Sequence, residues 1–216
     1  MDLPVLYSFR RCPYAIRARL AIYTSRYQCQ LREVILRDKP EAMIEASPKA
    51  TVPVLIDEDN NIIDQSLDIM LHVLSIHDPM GWLADDPVKQ QNMLQLIDET
   101  EIKFKPHLDL YKYASRSENP DPELHRKKAY EFLGRLELIL SSNNYLFGER
   151  QSLADIAILP FIRQFAQTDR NWFDKQHLPY LHPWLREFES SDLRSNVMKK
   201  YTAWAPGDTE IRFPDQ

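Results

Sequence analysis

The chain has 216 residues, enough for one large domain or two small ones, and its 44% hydrophobic and 27% charged residues are typical of a folded globular protein. Only 4 glycines are present and no GxGxxG or Walker A pattern occurs, which excludes the usual nucleotide-binding loops. The net charge of −5, with no basic excess in either half, argues against a general nucleic-acid binder.

The first third of the chain alternates between strand-like and helix-like segments. In chain order the predicted elements are a strand at 5–9, a helix at 13–27, a strand at 29–36, a short helix at 40–46, strands at 54–56 and 62–63, and a helix at 66–76. This order predicts a parallel pair of strands with a closing hairpin, covered by helices.

After a linker predicted at residues 79–86, every periodic segment is helical. The three clearest helical patterns span residues 94–111, 129–139 and 178–188. Pro106 should bend the first of these helices, because its ring excludes a hydrogen bond to the carbonyl of Ile102. The sequence therefore predicts an α/β plus all-α chain, with one domain at 1–78 and an all-helical domain at 87–216.

The strongest local signal for chemistry is the sequence RRCPYA at residues 10–15, where a strand ends and a helix begins. Pro13 is tolerated at a first helical position, so Cys12 is predicted to cap the helix, facing unpaired backbone N–H groups and the positive end of the helix dipole. Such positions, here with arginines on both sides, lower a cysteine pKa from about 8.5 to roughly 3.5–7.5. Cys12 is therefore a candidate nucleophile; the alternative is a small buried cysteine.

The type of thiol chemistry depends on Ala15, which stands where a dithiol motif carries its second cysteine. Without that cysteine, Cys12 needs an external thiol, and glutathione is the abundant cytosolic choice. Cys29 is predicted to lie in the core of the second strand. A dithiol oxidoreductase that uses both cysteines stays open as an alternative.

Two further segments are candidates for binding. Pro53, at the start of a strand, can form a cis bond that leaves the backbone of Val52 able to dock an extended peptide; an ordinary trans proline is the alternative. Ser66 is predicted to cap the next helix, whose N-terminus is an anion site where a carboxylate can bind. A cap without a ligand is the alternative there.

Several sequence features are absent, and their absence restricts the expected location and ligands of the protein. The six histidines show no metal-ligand spacing, and two cysteines are too few for a disulfide framework. No secretion signal is visible at the start, and the longest apolar run is too short to span a bilayer. We therefore expect a reduced, cytoplasmic protein that binds no metal, nucleic acid or membrane.

Together these segments resemble the cytosolic glutathione transferase family, and most closely its cysteine-type members, the omega-like and related bacterial proteins. The matching positions are Cys-Pro-Tyr-Ala at 12–15, Lys-Pro at 39–40, Val-Pro at 52–53, Gln-Ser at 65–66 and a Gly-x-x-x-Ser-x-x-Asp helix-capping box at 148–155. The resemblance implies an N-terminal thioredoxin-like domain that binds glutathione, followed by a C-terminal helical bundle domain. It also implies a homodimer.

The resemblance assigns a role to each matching residue of the first domain. Cys12 would be the catalytic thiol, which forms a mixed disulfide with the co-substrate glutathione. The residues implied to bind glutathione are Lys39 at the glycyl end, Val52 and Pro53 through the backbone, and Gln65 and Ser66 at the γ-glutamyl end. Gln65 stands where the family usually has Glu or Asp, so a charge that would pair with the glutamyl amine is missing.

The acceptor, a small electrophilic or disulfide substrate, is expected between the domains. Its candidate residues are Tyr14, Phe104, Tyr111, Arg163 and Trp172, chosen because aromatic and apolar pockets accept apolar electrophiles. Core packing is the alternative role for each of these residues. It explains Arg163 least well, because a buried unpaired charge is energetically costly.

Two competing functions stay open. Other classes of the family use a tyrosine or serine hydroxyl to activate glutathione, which makes Tyr7 and Ser8 further candidates. Tyr7 is predicted to lie mid-strand and to serve core packing. The chain is alternatively a non-catalytic interaction or regulatory protein on the same fold, although the presence of Cys12, Lys39 and Ser66 together argues against that function.

Overall fold

The computed structural model describes residues 3–116 and 120–215, which form two compact units. The first unit is Met1–Gly81 with Ser191–Gln216, and the second is Trp82–Ser190. In chain order the strands and α-helices are β1 (Val5–Ser8), α1 (Pro13–Ser25), β2 (Cys29–Glu33), α2 (Glu41–Ala46), β3 (Val54–Ile56), β4 (Ile62–Ile63), α3 (Ser66–Ile76), α4 (Pro87–Glu99), α5 (Lys105–Lys112), α6 (Pro122–Leu140), α7 (Leu153–Ala166), α8 (Arg170–Phe173), α9 (Leu181–Ser190), α10 (Asp192–Val197) and β5 (Arg212–Phe213).

The first unit is built on a five-stranded mixed sheet in the order β4-β3-β1-β2-β5. β1 pairs in parallel with β2, with Val5 opposite Gln30, and antiparallel with β3, which forms a hairpin with β4. β1 is central, and its residues after Val5 are buried, as expected for a strand covered on both faces. The predicted parallel pair with a closing hairpin is confirmed.

The C-terminal segment packs with the first unit, whereas residues 87–216 were all predicted to belong to a helical domain. β5 pairs antiparallel with β2, and Phe213, opposite Cys29, is fully buried. A two-residue strand is too short to show a period of two, so this edge strand has no clear signal in the sequence.

The second unit is helical, and a π-helical turn interrupts its first long helix just before Pro106, where a bend was predicted. α4 ends at Glu99, and a π-helical turn at Thr100–Phe104 joins it to α5. The N–H of Lys105 bonds to the carbonyl of Thr100, five residues earlier. The wider turn accommodates the proline, which has no N–H to continue an α-helical ladder.

The second unit begins inside the segment that was predicted as a linker, residues 79–86. Trp82 is buried, and its carbonyl accepts a hydrogen bond of 2.8 Å from the N–H of Leu153, the first residue of α7. α7 is buried along nearly its whole length and forms the centre of this unit. Among the described residues, none of the helices combines the length and apolar character required to span a membrane.

The predicted fold class is confirmed: a thioredoxin-like α/β domain with a mixed sheet is followed by a helical domain.

Candidate active site

Cys12 occupies the N-cap of α1, directly before Pro13 at the first helical position. Its N–H bonds to the carbonyl of Phe9 at 3.0 Å, and its carbonyl accepts the N–H of Ile16 at 2.9 Å, the first bond of the helix. The Cys12 side chain is half-buried. The first turn of α1 contains no acidic residue, so no carboxylate there neutralises the positive end of the helix dipole.

The fold brings Cys12 next to Val52, a residue 40 positions away. Cys12 Sγ lies 3.7 Å from the carbonyl oxygen of Val52, to which the thiol can donate. The Val52–Pro53 peptide bond is cis, as the family resemblance implied. Both residues are buried, so the backbone of this segment is held close to the thiol.

Ser66 lies at the start of α3 and is held by a side chain from α1. Arg17 Nε donates to Ser66 Oγ at 2.8 Å, and both side chains are buried. The N-cap of α3 is Gln65 and not Ser66 as predicted, because Gln65 is extended and Ser66 is already the first helical residue. Gln65 is exposed beside it.

Asp64, directly before Gln65, is a carboxylate to which the sequence motifs assigned no role. It accepts hydrogen bonds from Lys49 Nζ at 2.9 Å and Ser47 Oγ at 3.0 Å. Lys49 and Ser47 hold the pKa of Asp64 below its usual value against the opposing effect of burial, so it is ionised at neutral pH. Lys39 is half-buried in the loop before Pro40, the N-cap of α2.

The arginines near Cys12 have more specific contacts than the sequence suggested. Arg10 Nη1 donates to the carbonyl of Met198 at 3.3 Å, in the C-terminal segment. The guanidinium of Arg11 lies 5.2 Å from the ring centroid of Phe9. These groups serve packing and hydrogen bonding, so the helix N-terminus is the feature of the site that most directly favours a thiolate.

Cys29 and Tyr7 are core residues, as predicted. The Cys29 side chain is fully buried, its thiol donates to the carbonyl of Phe213 at 3.4 Å, and burial raises its pKa to about 12. The Tyr7 ring is buried, and its hydroxyl accepts a hydrogen bond of 2.6 Å from Arg32 Nη1. A thiol with so high a pKa is a poor nucleophile or redox partner, which weighs against the dithiol alternative.

The residues predicted for an acceptor site divide between the two units. Tyr14 is in α1 of the first unit, half-buried, with the guanidinium of Arg17 5.1 Å from its ring centroid. In the second unit Phe104 is fully buried, 5.6 Å from the ring centroid of Phe165, so the alternative of core packing describes it better than a role in contacting substrate. Arg163, in the last turn of α7, is half-buried.

Tyr111 and Trp172 share an arginine that the sequence motifs did not indicate. The guanidinium of Arg126 lies 4.6 Å from the ring centroid of Trp172 and 5.9 Å from that of Tyr111. Burial raises the pKa of the Tyr111 hydroxyl, which is hydrogen-bonded to Arg126. A cleft of about 370 Å³ in this unit is lined by Glu123, Leu124, Arg126, Lys127, Tyr130 and Trp172.

Within residues 3–116 and 120–215, no group of three or more His, Cys, Asp or Glu side chains is arranged to hold a metal ion.

Comparisons with known proteins agree with this fold. The family model described as the glutathione S-transferase N-terminal domain matches residues 6–81, and the C-terminal domain model of the same family matches residues 95–187. Mouse glutathione S-transferase omega-1 is 22% identical over 88% of this chain and 78% of its own length. The probable glutathione S-transferase parA of Nicotiana tabacum is 25% identical over 87% of this chain and 86% of its own.

Among solved structures, a glutathione transferase family member from Pseudomonas fluorescens, determined with two glutathione bound, has a TM-score of 0.79 and 18% identity. The similarity covers 91% of this chain and 92% of that one. At this identity the likeness shows the fold, and the two domain matches show the family. The chain belongs to the glutathione S-transferase family.

Proposed function

We propose that this protein is a glutathione-dependent thiol transferase of the cysteine type, in which Cys12 is the catalytic nucleophile. The observation that carries the proposal is the position of Cys12: half-buried at the N-cap of α1, with Sγ 3.7 Å from the carbonyl of Val52. A serine or tyrosine at this point would stabilise a bound glutathione thiolate, whereas a cysteine forms a disulfide with it. The similarity to omega-1 proteins supports the same chemistry.

The reaction proceeds in two balanced exchanges. The Cys12 thiolate attacks the glutathione sulfur of a glutathionylated substrate, forming the Cys12–glutathione disulfide and releasing the substrate thiolate, which takes a proton from water. A second glutathione thiolate then attacks the glutathione sulfur of that disulfide, forming oxidised glutathione and regenerating the Cys12 thiolate. No second protein thiol is needed, which is consistent with the buried Cys29.

Glutathione binding is proposed along the edge that the structure builds around Cys12. The backbone of Val52, before Pro53, takes the extended tripeptide, and Ser66 and Gln65 take the γ-glutamyl carboxylate at the N-terminus of α3. Gln65 has no negative charge to pair with the glutamyl amine. The ionised carboxylate of Asp64, one residue earlier, supplies such a charge. Lys39 is proposed for the glycyl carboxylate. Tyr111, Arg163 and Trp172 of the second unit are proposed for a small electrophilic or disulfide acceptor. A homodimer in the cytoplasm is proposed from the family resemblance.

The test is turnover of a small glutathionylated disulfide and of a chlorinated aromatic electrophile by Cys12→Ala and the matched control Cys29→Ser. Cys12→Ala should lose thiol-transferase activity by about 10³-fold or more, because the nucleophile is absent. Cys29→Ser should retain it, because its thiol is buried and protonated. Unchanged rates in Cys12→Ala would contradict the mechanism. A wild-type chain that binds glutathione and turns over neither substrate would favour the non-catalytic alternative.

A further inference from the structure

The first unit contains a buried ion pair that the proposed reaction does not use. Arg19 of α1 and Glu33 at the end of β2 are joined by a salt bridge between Arg19 Nη2 and Glu33 Oε2, with Arg19 fully buried and Glu33 8% exposed. Burial lowers the pKa of the Arg19 guanidinium, and the adjacent Glu33 opposes this shift. A hydrophobic pair of the same volume is often at least as stable, so stability alone does not explain these charges.

The second oxygen of Glu33 reaches the turn that carries Cys12. Glu33 Oε1 accepts the backbone N–H of Arg10 at 2.8 Å, two residues before the cysteine. The same turn closes with the 3.0 Å bond from the Cys12 N–H to the Phe9 carbonyl. Glu33 therefore holds the Phe9–Cys12 turn from the neighbouring strand.

Arg19 connects this carboxylate to the end of β1, where the turn begins. Its Nε donates to Ser8 Oγ at 2.7 Å, and Ser8 is fully buried. Its Nη1 donates to the carbonyl of Val197, near the C-terminal end of α10, at 3.4 Å. The guanidinium thus cross-links β1, β2 and the C-terminal segment around the turn.

The C-terminal segment contacts the same end of β2. The N–H of Trp204 donates to the backbone carbonyl of Glu33 at 2.8 Å, and Arg10 reaches Met198 as described above. Trp204 packs against the hydrophobic cluster that includes Tyr7 and Val52, and Cys12 packs against the same cluster. Glu33, Arg19 and Arg10 therefore supply polar contacts around the turn before Cys12, in addition to the turn's own bond from the Cys12 N–H to the Phe9 carbonyl.

We propose that Glu33, neutralised by Arg19, is a positioning residue for Cys12, and that it holds the Phe9–Cys12 turn so that the thiol stays over the N-terminus of α1. This inference rests on the proposed function in taking Cys12 as the nucleophile. The field of a helix terminus acts only within about the first turn, so a small displacement of the turn weakens it. Misplacement of a reacting group by about 1 Å costs up to about 100-fold in rate.

Two double variants separate the positioning bond from the charges. Arg19→Met with Glu33→Leu removes both charges and the acceptor for the Arg10 N–H. Arg19→Met with Glu33→Gln also removes both charges but keeps an amide oxygen in the place of Oε1. The readout is the pH dependence of Cys12 alkylation by iodoacetamide in a Cys29→Ser background, together with the thermal unfolding midpoint.

In the leucine variant the alkylation midpoint should rise by roughly half to one pH unit, and the rate at pH 7 should fall about three- to tenfold. In the glutamine variant both should stay within about twofold of the wild type, because the hydrogen bond to the Arg10 N–H is kept. Equal behaviour of the two variants, whether both unchanged or both impaired, overturns the proposal.

The matched control is Asp57→Ala, which removes another carboxylate of 8% exposure in the same unit. Asp57 accepts the N–H groups of Asp59 and Asn61 at 2.9 and 2.8 Å, in the turn between β3 and β4. Its loss should lower the unfolding midpoint and leave the alkylation midpoint unchanged. An equal shift in this control would show general loosening and overturn the proposal.

A second measurement needs no variant to fold. Hydrogen exchange of the Arg10 amide should be slow in the wild type, because this N–H is bonded to a nearly buried carboxylate; exchange at the rate of an open peptide overturns the proposal. Alkylation and exchange involve no glutathione. Failure of glutathione turnover in the wild type therefore contradicts the proposed function and leaves this inference standing on its own readout.

Discussion

Substitution Asp155→Ala should lower the free energy of unfolding by about 3–5 kcal/mol, because it removes an acceptor shared by several buried donors. Asp155 is fully buried and completes the capping box at the start of α7. Its carboxylate accepts the backbone N–H groups of Leu146 and Ser152 at 3.0 and 2.9 Å and the indole N–H of Trp184 at 2.9 Å.

The magnitude follows from what the alanine leaves behind. Each of three buried N–H groups loses its acceptor, at a cost of about 1–3 kcal/mol apiece. The buried carboxylate itself is unfavourable, since burial raises the pKa of Asp155, and removing it returns part of that cost. The expected loss of about 3–5 kcal/mol is therefore the lower part of what three such donors would cost together. It is a large fraction of the roughly 5–15 kcal/mol that stabilises a typical domain.

The assay is urea unfolding followed by tryptophan fluorescence, with Asp86→Ala as the matched control. Asp86 is the exposed N-cap of α4, and its side chain accepts a single hydrogen bond from the N–H of Val88 at 3.0 Å. Asp86→Ala should lower the free energy of unfolding by only about 1 kcal/mol, the usual effect of removing an exposed cap. A loss below about 1 kcal/mol in Asp155→Ala would refute the reasoning that its buried donors have no other partner.

Three further predictions follow from the first unit. Native protein should react with one equivalent of a thiol reagent and unfolded protein with two, because only Cys12 is accessible and burial raises the pKa of Cys29 to about 12; two equivalents in the native state would contradict the assignment. Burial raises the pKa of Asp57, but hydrogen bonds from Asn61 and Asp59 outweigh it and lower that pKa overall. The stabilising contribution of the Asp57 carboxylate should therefore be lost as pH falls below about 4 toward the folded-state pKa. In urea titrations, Asp57→Asn should show less acid destabilisation than the wild type between pH 5 and pH 2. Trp204→Ala should lower the free energy of unfolding in urea by about 2 kcal/mol, because the guanidinium of Arg32 lies over the indole, 4.2 Å from its ring centroid. A change under about 0.5 kcal/mol would show that the ring contributes little to stability.

Local patterns predicted most elements of the first unit because its strands and helices have distinct periods and clear boundaries. The helix from Pro13 and the strands around the polar turn after Val54–Ile56 lie where the sequence placed them. β5 was missed because two residues carry no periodicity, and its pairing with β2 joins positions about 180 apart in the chain. Trp82 was placed in a linker because an isolated aromatic residue gives no local sign of burial.

The candidate site was predictable where one residue type implies one chemistry, and less so where a contact is non-local. A cysteine before a helix-opening proline favours a thiolate through local backbone geometry alone, and the structure places Cys12 at that cap. The link between Arg17 and Ser66, and the Arg19–Glu33 pair, join elements far apart in sequence. Charged residues in an amphipathic helix are ordinarily expected on its solvated face, so no local pattern shows which of them are buried.

Trapping the covalent intermediate would show whether Cys12 carries glutathione during turnover. Wild-type protein is mixed with a small glutathionylated disulfide in the absence of free glutathione, quenched in acid and analysed by peptide mass spectrometry. We expect one glutathione on the peptide that contains Cys12, its release as oxidised glutathione when free glutathione is added, and an unmodified Cys29. Turnover of the same disulfide with no glutathione on Cys12 at any time would contradict this expectation.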